Sequence, residues 1–359
     1  MSGIVATHGN VDAELGRRML SRLVHRGPDG EGSAEVDGSW LGHRWLAIVE
    51  GSEQPIESET AGLTMVADGE IYNATELRDA IGDVSLRTRD TVEIALHLVA
   101  AHGPEALAEV SGQFALVVAG SDGRFVAARD QFGLKPLFWA RRDGQVIFAS
   151  ELSAFDEGWM PLVEYFPPGH YWTPQDGLVR FAHAVPDAPA MATPFARPED
   201  PGDQIPEQIL EAVRARLTDA VDRQMMGDVP IGAFLSGGLD SSIIAALAAR
   251  WYEERGEQLK TFAVGFEGAP DLAAARVVAE YLGTDHFERT YTADEALEAL
   301  PAVVEALENF DPTLVRSSVS NYIVAALAAQ HVKVVLCGEG ADEIFAGYAH
   351  MEELDSATE

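Results

Sequence analysis

The sequence predicts two domains of different class. The first is an α+β half of antiparallel sheets with helices packed outside. The second is an α/β half built on a doubly wound parallel sheet. Three observations carry this reading. Short β-like runs separated by turn residues fill the first half, as antiparallel sheets require. Six prolines, Pro186, Pro189, Pro194, Pro198, Pro201 and Pro206, then break every periodicity between residues 184 and 206, which marks an exposed, semi-rigid linker. Beyond it, apolar strands alternate with helical patterns, the grammar of βαβ units. The predicted divisions are therefore residues 2–183, a Pro-rich linker 184–206, and residues 207–359.

In order along the chain, β-like runs occupy residues 3–7, 40–49, 63–67, 113–119, 124–128 and 145–149. Helical patterns over 13–23 and 91–101 interrupt them. After the linker come a strand at 229–235, a helix at 242–251, a strand at 261–266 and a helix at 273–282. A second cycle runs from a helix at 318–330 into a strand at 332–336, and residues 350–359 form a polar, helix-like tail. In such a sheet, ligands bind beyond the carboxyl ends of the strands, so chemistry is expected in the loops after residues 235, 266 and 336.

Composition narrows the function. Asp and Glu number 58 against 25 Lys and Arg, a formal net charge of −33. A nucleic-acid footprint needs clustered cations, so no nucleic-acid partner is expected. The acids are spread through the chain rather than run together as a tail, which favours a hydrated surface over a face for a basic partner. The single cysteine, Cys337, cannot form an internal disulfide. No apolar run approaches the ~20 residues that span a bilayer. No secretory pattern is seen in residues 1–10, so a cytoplasmic protein without membrane contact is expected.

The strongest local signal is Leu235-Ser236-Gly237-Gly238-Leu239-Asp240-Ser241-Ser242, joining a strand to a helix through two glycines. Backbone N–H groups, the hydroxyls of Ser236, Ser241 and Ser242, and the positive helix end together suit pyrophosphate. The Gly-Lys-Ser/Thr ending of a Walker loop is missing. Asp240 beside phosphates makes most sense as a Mg²⁺ ligand, because hard cations take carboxylate oxygens. The alternative is a Gly-rich turn with a Ser/Asp cap. A second signal, Cys337-Gly338-Glu339-Gly340-Ala341-Asp342-Glu343, follows the strand at 332–336. There Asp342 can complete the metal site begun by Asp240, and Glu339 can act as a base toward an incoming amine. A plain acidic turn capping the next helix is the competing reading.

These residues carry a family resemblance. The chain resembles the glutamine-dependent asparagine synthetases, in which an N-terminal-nucleophile amidotransferase domain of αββα type precedes an ATP-pyrophosphatase domain. The matching stretches are His25-Arg26-Gly27-Pro28-Asp29, Gly69-Glu70-Ile71-Tyr72-Asn73, residues 128–137, Phe148-Ala149-Ser150-Glu151 and Phe166-Pro167-Pro168-Gly169. They continue through the Ser236 loop, Phe262-Ala263-Val264-Gly265-Phe266, Leu282-Gly283-Thr284 and residues 338–348. The resemblance implies an ATP-dependent carbon–nitrogen ligase that adenylates aspartate, releases pyrophosphate and amidates the acyl adenylate with ammonia. It assigns Asp240 and Asp342 to Mg²⁺, Glu339 to the ammonia proton, and Leu235, Val264 and Gly265 to the adenine. Gly237, Gly238, Ser241, Ser242 and Gly338 fall to the phosphates, and Arg316 stands beside the nucleotide.

The chain departs from that pattern at its amino end. Active members carry cysteine after the initiator methionine; here Ser2 stands, a poorer nucleophile at neutral pH. Trp45 occupies the place of an arginine that clamps the glutamine carboxylate. Arg44, one residue earlier, points to the opposite face of a strand. The family's Asn-Gly-Glu is Asp68-Gly69-Glu70, a carboxylate where an amide donates to the oxyanion, at an expected cost beyond the ~10² to 10³ of losing one donor. Thr91 falls where an aspartate holds the substrate ammonium, with Asp90 beside it. A laboratory Cys-to-Ser exchange accounts for Ser2 and for none of the others, so natural loss of glutaminase activity is expected. The stretches 25–29 and 129–137 are then scaffold, setting turn geometry and interdomain packing.

Family members also continue well past Tyr348, with a helical region holding a lysine for the adenylation step and residues that select the carboxylate. The resemblance therefore implies a carboxyl end that is incomplete: a clipped chain, a split gene whose partner chain supplies the rest, or a degenerate protein. A homodimer is also compatible. Three functions stay open: an ammonia-dependent asparagine synthetase-like ligase, an adenylating ligase of the β-lactam synthetase kind for another carboxylate, and a non-catalytic nucleotide-binding subunit.

Overall fold

The computed structural model describes residues 1–82, 84–184, 205–345 and 347–348. The chain divides into two compact units, residues 1–203 and 204–359. Most of the expected linker, 185–204, and the expected tail, 350–359, lie outside the described residues.

The first unit contains β1 (Gly3–His8), α1 (Ala13–Ser21), β2 (Gly30–Val36), β3 (Ser39–Trp45), β4 (Ile56–Ser58), β5 (Leu63–Ile71), α2 (Ala74–Ile81) and α3 (Glu93–His102). It continues with β6 (Gly112–Gly120), β7 (Phe125–Arg129), β8 (Phe138–Arg142), β9 (Gln145–Ala149), β10 (Val163–Tyr165), β11 (His170–Thr173) and β12 (Gly177–Arg180). Two six-stranded sheets form, in the orders β10-β8-β9-β1-β3-β2 and β12-β11-β7-β6-β5-β4. Strand alternation sends Ile4, Ala6 and Leu41 of one sheet and Val66, Ala115 and Val117 of the other into a shared core. The opposite faces are covered separately. Leu15, Met19 and Leu20 of α1 pack on the first sheet, and Leu77 of α2 with Ile94 and Leu96 of α3 pack on the second. The result is the αββα sandwich that the resemblance implies.

The second unit contains α4 (Glu207–Gln224), β13 (Ile231–Phe234), α5 (Leu239–Glu253), β14 (Lys260–Gly265), α6 (Pro270–Leu282), β15 (Asp285–Thr290), α7 (Ala293–Leu307), α8 (Pro312–Ala328), β16 (Val334–Leu336) and α9 (Ala341–Phe345). All four strands pair in parallel, in the order β15-β14-β13-β16. Ile231, Ala233 and Ala263 meet α4, α5 and α6 on one face. Phe262 meets Val324 and Ala328 of α8 on the other. Helices on both faces of a parallel sheet make this a doubly wound fold.

Several expected boundaries move, each for a local reason. The strand expected over 40–49 ends at Trp45, because the chain leaves the ladder and the Ala47 N–H donates to Asp29 Oδ2 at 2.7 Å. The helix expected at 242 starts at Leu239, directly on the second glycine. The helix expected at 318 starts at Pro312, where the Asp311 carboxylate accepts from the N–H groups of Thr313 and Leu314 at 2.8 and 3.0 Å. β15 and α7 between the two expected cycles were not anticipated; β15 is an edge strand of charged, largely exposed residues, which hides the apolar signal.

Candidate functional site

The order β15-β14-β13-β16 reverses direction between β13 and β16, so the chain is wound both ways from that point. Loops after these two strands leave in opposite directions and open a crevice at their carboxyl ends. Both expected loops lie there. They form a cleft of about 320 Å³ lined by Leu235, Ser236, Gly238, Asp240, Ser241, Val264, Gly338, Glu339 and Asp342 among others. The two loops touch: a Cβ on Gly338 would sit 2.9 Å from both the Asp240 Cβ and the Ser241 nitrogen. Glycine is thus required for the approach that brings Asp240 beside the second loop.

The elbow after β13 is held by its own hydroxyls. Ser236 Oγ and Ser241 Oγ lie 3.0 Å apart, the Ser236 N–H donates to Ser241 Oγ at 3.2 Å, and the Gly238 N–H donates to Ser236 Oγ at 3.3 Å. Gly237 takes φ +80°, and a Cβ there would collide with Ala274 of α6 at 2.5 Å. The elbow is therefore wedged between α5 and α6, with the amino terminus of α5 directed at the cleft. Ser242, one turn into α5, buries its hydroxyl without a hydrogen-bond partner among the described residues.

The cleft is electrostatically one-sided. Asp240, Asp271, Glu339, Asp342 and Glu343 line it, and among the described residues no Lys, Arg or His does. Asp240, Glu339 and Asp342 have no hydrogen-bond or ion-pair partner for their carboxylates among the described residues. Such groups suit a hard divalent cation. Among the described residues no three His, Cys, Asp or Glu side chains converge as a ready-made cage. That fits a cation completed by ligand phosphates and water rather than by protein alone.

Four expected residues stand outside the lining: Gly237 and Ser242, which are packed into the elbow and α5, and Gly265 and Arg316. Gly265 packs against the start of α6, with Ala269 and Leu272 within 3.2 Å of a built Cβ. Arg316 is exposed, and its Nε donates to the Pro312 carbonyl at 3.2 Å. It lies four residues before Ser320, a cleft residue, and so shares that face of α8 one turn away. Sequence reasoning missed Asp271, Ser320 and Asn321, which line the cleft from α6 and α8 without belonging to a recognisable motif.

The Ser2 corner of the first unit is built differently. Asp68 on β5 is buried between the sheets, where Arg26 Nη2 reaches its Oδ2 at 3.0 Å and Lys135 Nζ its Oδ1 at 3.4 Å. The Ser2 N–H donates to the same Oδ1 at 3.1 Å. Burial alone pushes this carboxyl up, but Lys135 and Arg26 outweigh it and hold Asp68 below the usual carboxylate range. Arg26 also donates from Nε to the Ser2 carbonyl at 2.7 Å and pairs with Glu151 at 2.9 Å. The stretch 129–137 places Lys135. Buried Arg129 donates to the carbonyls of Lys135 and Gly133, and the Asp130 carboxylate accepts from the N–H groups of Phe132, Leu134 and Lys135.

The remaining altered positions are likewise engaged within the fold. Trp45 lies over Gly30, and its ring stacks 6.0 Å from that of His43. Arg44 is turned to the other face, where it pairs with Glu31 and donates to the Leu20 carbonyl of α1. Thr91 Oγ1 accepts from the Ile71 N–H and donates to Glu70 Oε2, both at 3.0 Å. Asp90 accepts from Gln54 Nε2 at 3.2 Å. Burial, then Asp90, push Glu70 up to about 7, and burial pushes Asp90 up to about 6.

An αββα sandwich followed by a doubly wound sheet with a Ser-Gly-Gly elbow at its switch point defines a two-domain protein of the amidotransferase-plus-synthetase class. Comparison with known proteins agrees. Residues 1–175 match the glutamine amidotransferase domain family, and residues 212–358 the asparagine synthase family. The whole chain aligns at 36% identity over 383 residues with asparagine synthetase [glutamine-hydrolyzing] 3 of Arabidopsis thaliana, covering 63% of that protein. It aligns at 36% over 387 residues with a probable asparagine synthetase [glutamine-hydrolyzing] of Dictyostelium discoideum, covering 67%. With the asparagine synthetase [glutamine-hydrolyzing] of Sandersonia aurantiaca the identity is 34% and the share 69%. The chain belongs to the glutamine-hydrolysing asparagine synthetase family, and it spans about two thirds of the length of these relatives. Among the described residues no helix is long and apolar enough to cross a membrane.

Proposed function

We propose that the second unit binds ATP and Mg²⁺ and adenylates aspartate, and that ammonia rather than glutamine supplies the nitrogen. The observation that carries this reading is the carboxylates of Asp240, Glu339 and Asp342, without a partner among the described residues, facing a hydroxyl-lined elbow at the topological switch point. The hydroxyls of Ser236 and Ser241 and the amino end of α5 receive the pyrophosphate end of the nucleotide, and Leu235 and Val264 flank its base. Asp240 and Asp342 would hold a Mg²⁺ ion, which would offset the charge of the phosphates and of the five carboxylates that line the cleft. The aspartate β-carboxylate attacks the α-phosphorus and pyrophosphate leaves. Ammonia then attacks the acyl carbon, AMP departs, and Glu339 takes the proton released by the nitrogen. Arg316, one turn from Ser320 on α8, stands beside the nucleotide in this reading.

The first unit is proposed to be silent toward glutamine. Supporting this, Asp68 places a paired anion where an amide donor is needed, and the Ser2 N–H is already committed to it. Isotope exchange between pyrophosphate and ATP tests the synthetase reading. Exchange that requires aspartate is expected; exchange only with another carboxylic acid would move the chain to the β-lactam synthetase kind. Binding of ATP without exchange under any acid would leave a nucleotide-binding subunit. Glutamate release from glutamine at a rate matching ammonia-dependent turnover would overturn the silent first unit.

A further inference from the structure

The cleft has two ends, fixed by strand order. β14 and β16 flank β13 on opposite sides, about 10 Å apart at the usual inter-strand spacing. The elbow, Gly338, Glu339 and Asp342 belong to the β13–β16 side. The β14 side carries Phe262 and Val264, an apolar wall on which α8 packs through Val324, while Ala263 between them faces α5 and α6. A nucleotide with its phosphates on the elbow therefore lays its base on the β14 side, beneath α8.

At that end α8 contributes two polar side chains, Ser320 and Asn321. Ser320 Oγ is already 2.9 Å from the Tyr291 hydroxyl. Asn321 is exposed and has no hydrogen bond or ion pair among the described residues. It sits three residues before Val324, so it shares the helix face whose apolar part packs on β14. Asp271, the other polar group on this side, comes from α6 and lies across the sheet from α8. A side-chain amide offers one acceptor and two donors in a plane, which matches the adjacent amino group and ring nitrogen of adenine.

We propose that Asn321 reads the hydrogen-bonding edge of the bound purine, making it a residue that determines base specificity. This rests on the nucleotide-binding reading of the cleft. The test uses the full chain with Mg²⁺ and compares calorimetric binding of ATP, purine riboside triphosphate (which lacks the 6-amino group) and inorganic tripolyphosphate to the unsubstituted protein and to Asn321→Leu.

The unsubstituted protein should favour ATP over purine riboside triphosphate by about tenfold or more. Asn321→Leu should bind the two alike and keep its affinity for tripolyphosphate. A variant that retains the full preference for ATP would overturn the assignment. So would one that loses tripolyphosphate binding in parallel, because Asn321 would then be acting on the elbow or the fold. If the unsubstituted protein binds none of the three, the reading of the cleft fails and this assignment falls with it. That outcome is distinct from the other two, in which the unsubstituted protein still binds.

Discussion

The Ser2 corner of the first unit and the elbow cleft of the second are both lined with carboxylates, and the fold treats them in opposite ways. Around Ser2, Asp68 is matched by Arg26, Lys135 and a backbone N–H, Glu70 by Thr91, and Asp90 by Gln54. In the cleft, the carboxylates of Asp240, Glu339 and Asp342 have no hydrogen-bond or ion-pair partner among the described residues. A buried charge must be paired within the protein, or its cost is borne by the fold. A charge left unpaired at a strand end is available to a ligand. The difference separates a corner whose carboxylates are built into the framework from a cleft whose carboxylates are left for a ligand.

If the corner is framework, breaking it should damage stability first. Arg26→Ala leaves Asp68 buried with only Lys135 and the Ser2 N–H and takes an arginine from Glu151; loss of one partner from such a network costs about 3–5 kcal/mol. A large drop in the urea midpoint is expected, with tryptophan fluorescence as the probe, since Trp40, Trp45, Trp139, Trp159 and Trp172 all belong to the first unit and only Trp251 to the second. An unchanged midpoint would mean that the network seen around Asp68 does not hold the unit together.

The cleft should respond the other way. Asp240→Ala removes a half-buried carboxylate without a partner among the described residues at the start of α5, so its effect on stability should stay within about 1 kcal/mol, the size of a helix-end charge effect. Mg²⁺-dependent ATP binding should fall by about a hundredfold or more, at least what loss of a supporting residue costs a metal site. Equal Mg²⁺ dependence in the variant and the parent would remove Asp240 from the site.

The two regions also differ in how far the sequence discloses them. The elbow is legible because its chemistry is local: strand, two glycines, three hydroxyls and an acid fall within residues 235–242. The second loop, 337–343, is legible for the same reason. Parallel order then brings the two together, which no local pattern states. Asp68, Trp45 and Thr91 can be seen as departures, but not the partners that absorb them. Arg26, Lys135 and Asp68 are separated by 42 and 67 residues, and their meeting depends on two sheets stacking. Asn321 escapes notice because a single amide on an amphipathic helix has no signature until α8 is placed over β14.

A smaller effect concerns pH. Glu70 and Asp90 are raised in the folded protein, to about 7 and about 6, above ordinary values of 4.5 and 3.8. Groups raised on folding bind protons more tightly in the native state. Their contribution is fully present below the unfolded values and is lost as pH rises through the folded ones. Asp68 is lowered, so its contribution is present at neutral pH and is lost only in acid, below the ordinary carboxylate range. The urea midpoint of the first unit should therefore rise as pH falls from about 7.5 toward 5, then decline at lower pH. Glu70→Gln should flatten the upper part of that curve. A midpoint that falls steadily from pH 7.5 to 5 would show that these two carboxylates are not held as the structure describes.

The smallest expected effect comes from the most obvious repair. Ser2→Cys restores the thiol that active relatives carry, yet glutamate release from glutamine should stay at background. The thiol would stand beside Asp68, whose anion is fixed by Arg26 and Lys135, where a developing oxyanion needs a donor. Trp45 would still stand where the resemblance expects the carboxylate clamp, with Arg44 on the other face of β3. Changing Asp68 to Asn in the same chain would remove the anion but also uncouple Arg26, so the repair of one function would loosen the framework that replaced it. Release of glutamate by Ser2→Cys alone, at a rate that supports synthesis, would mean that the corner is still a working site and that Ser2 is the sole lesion.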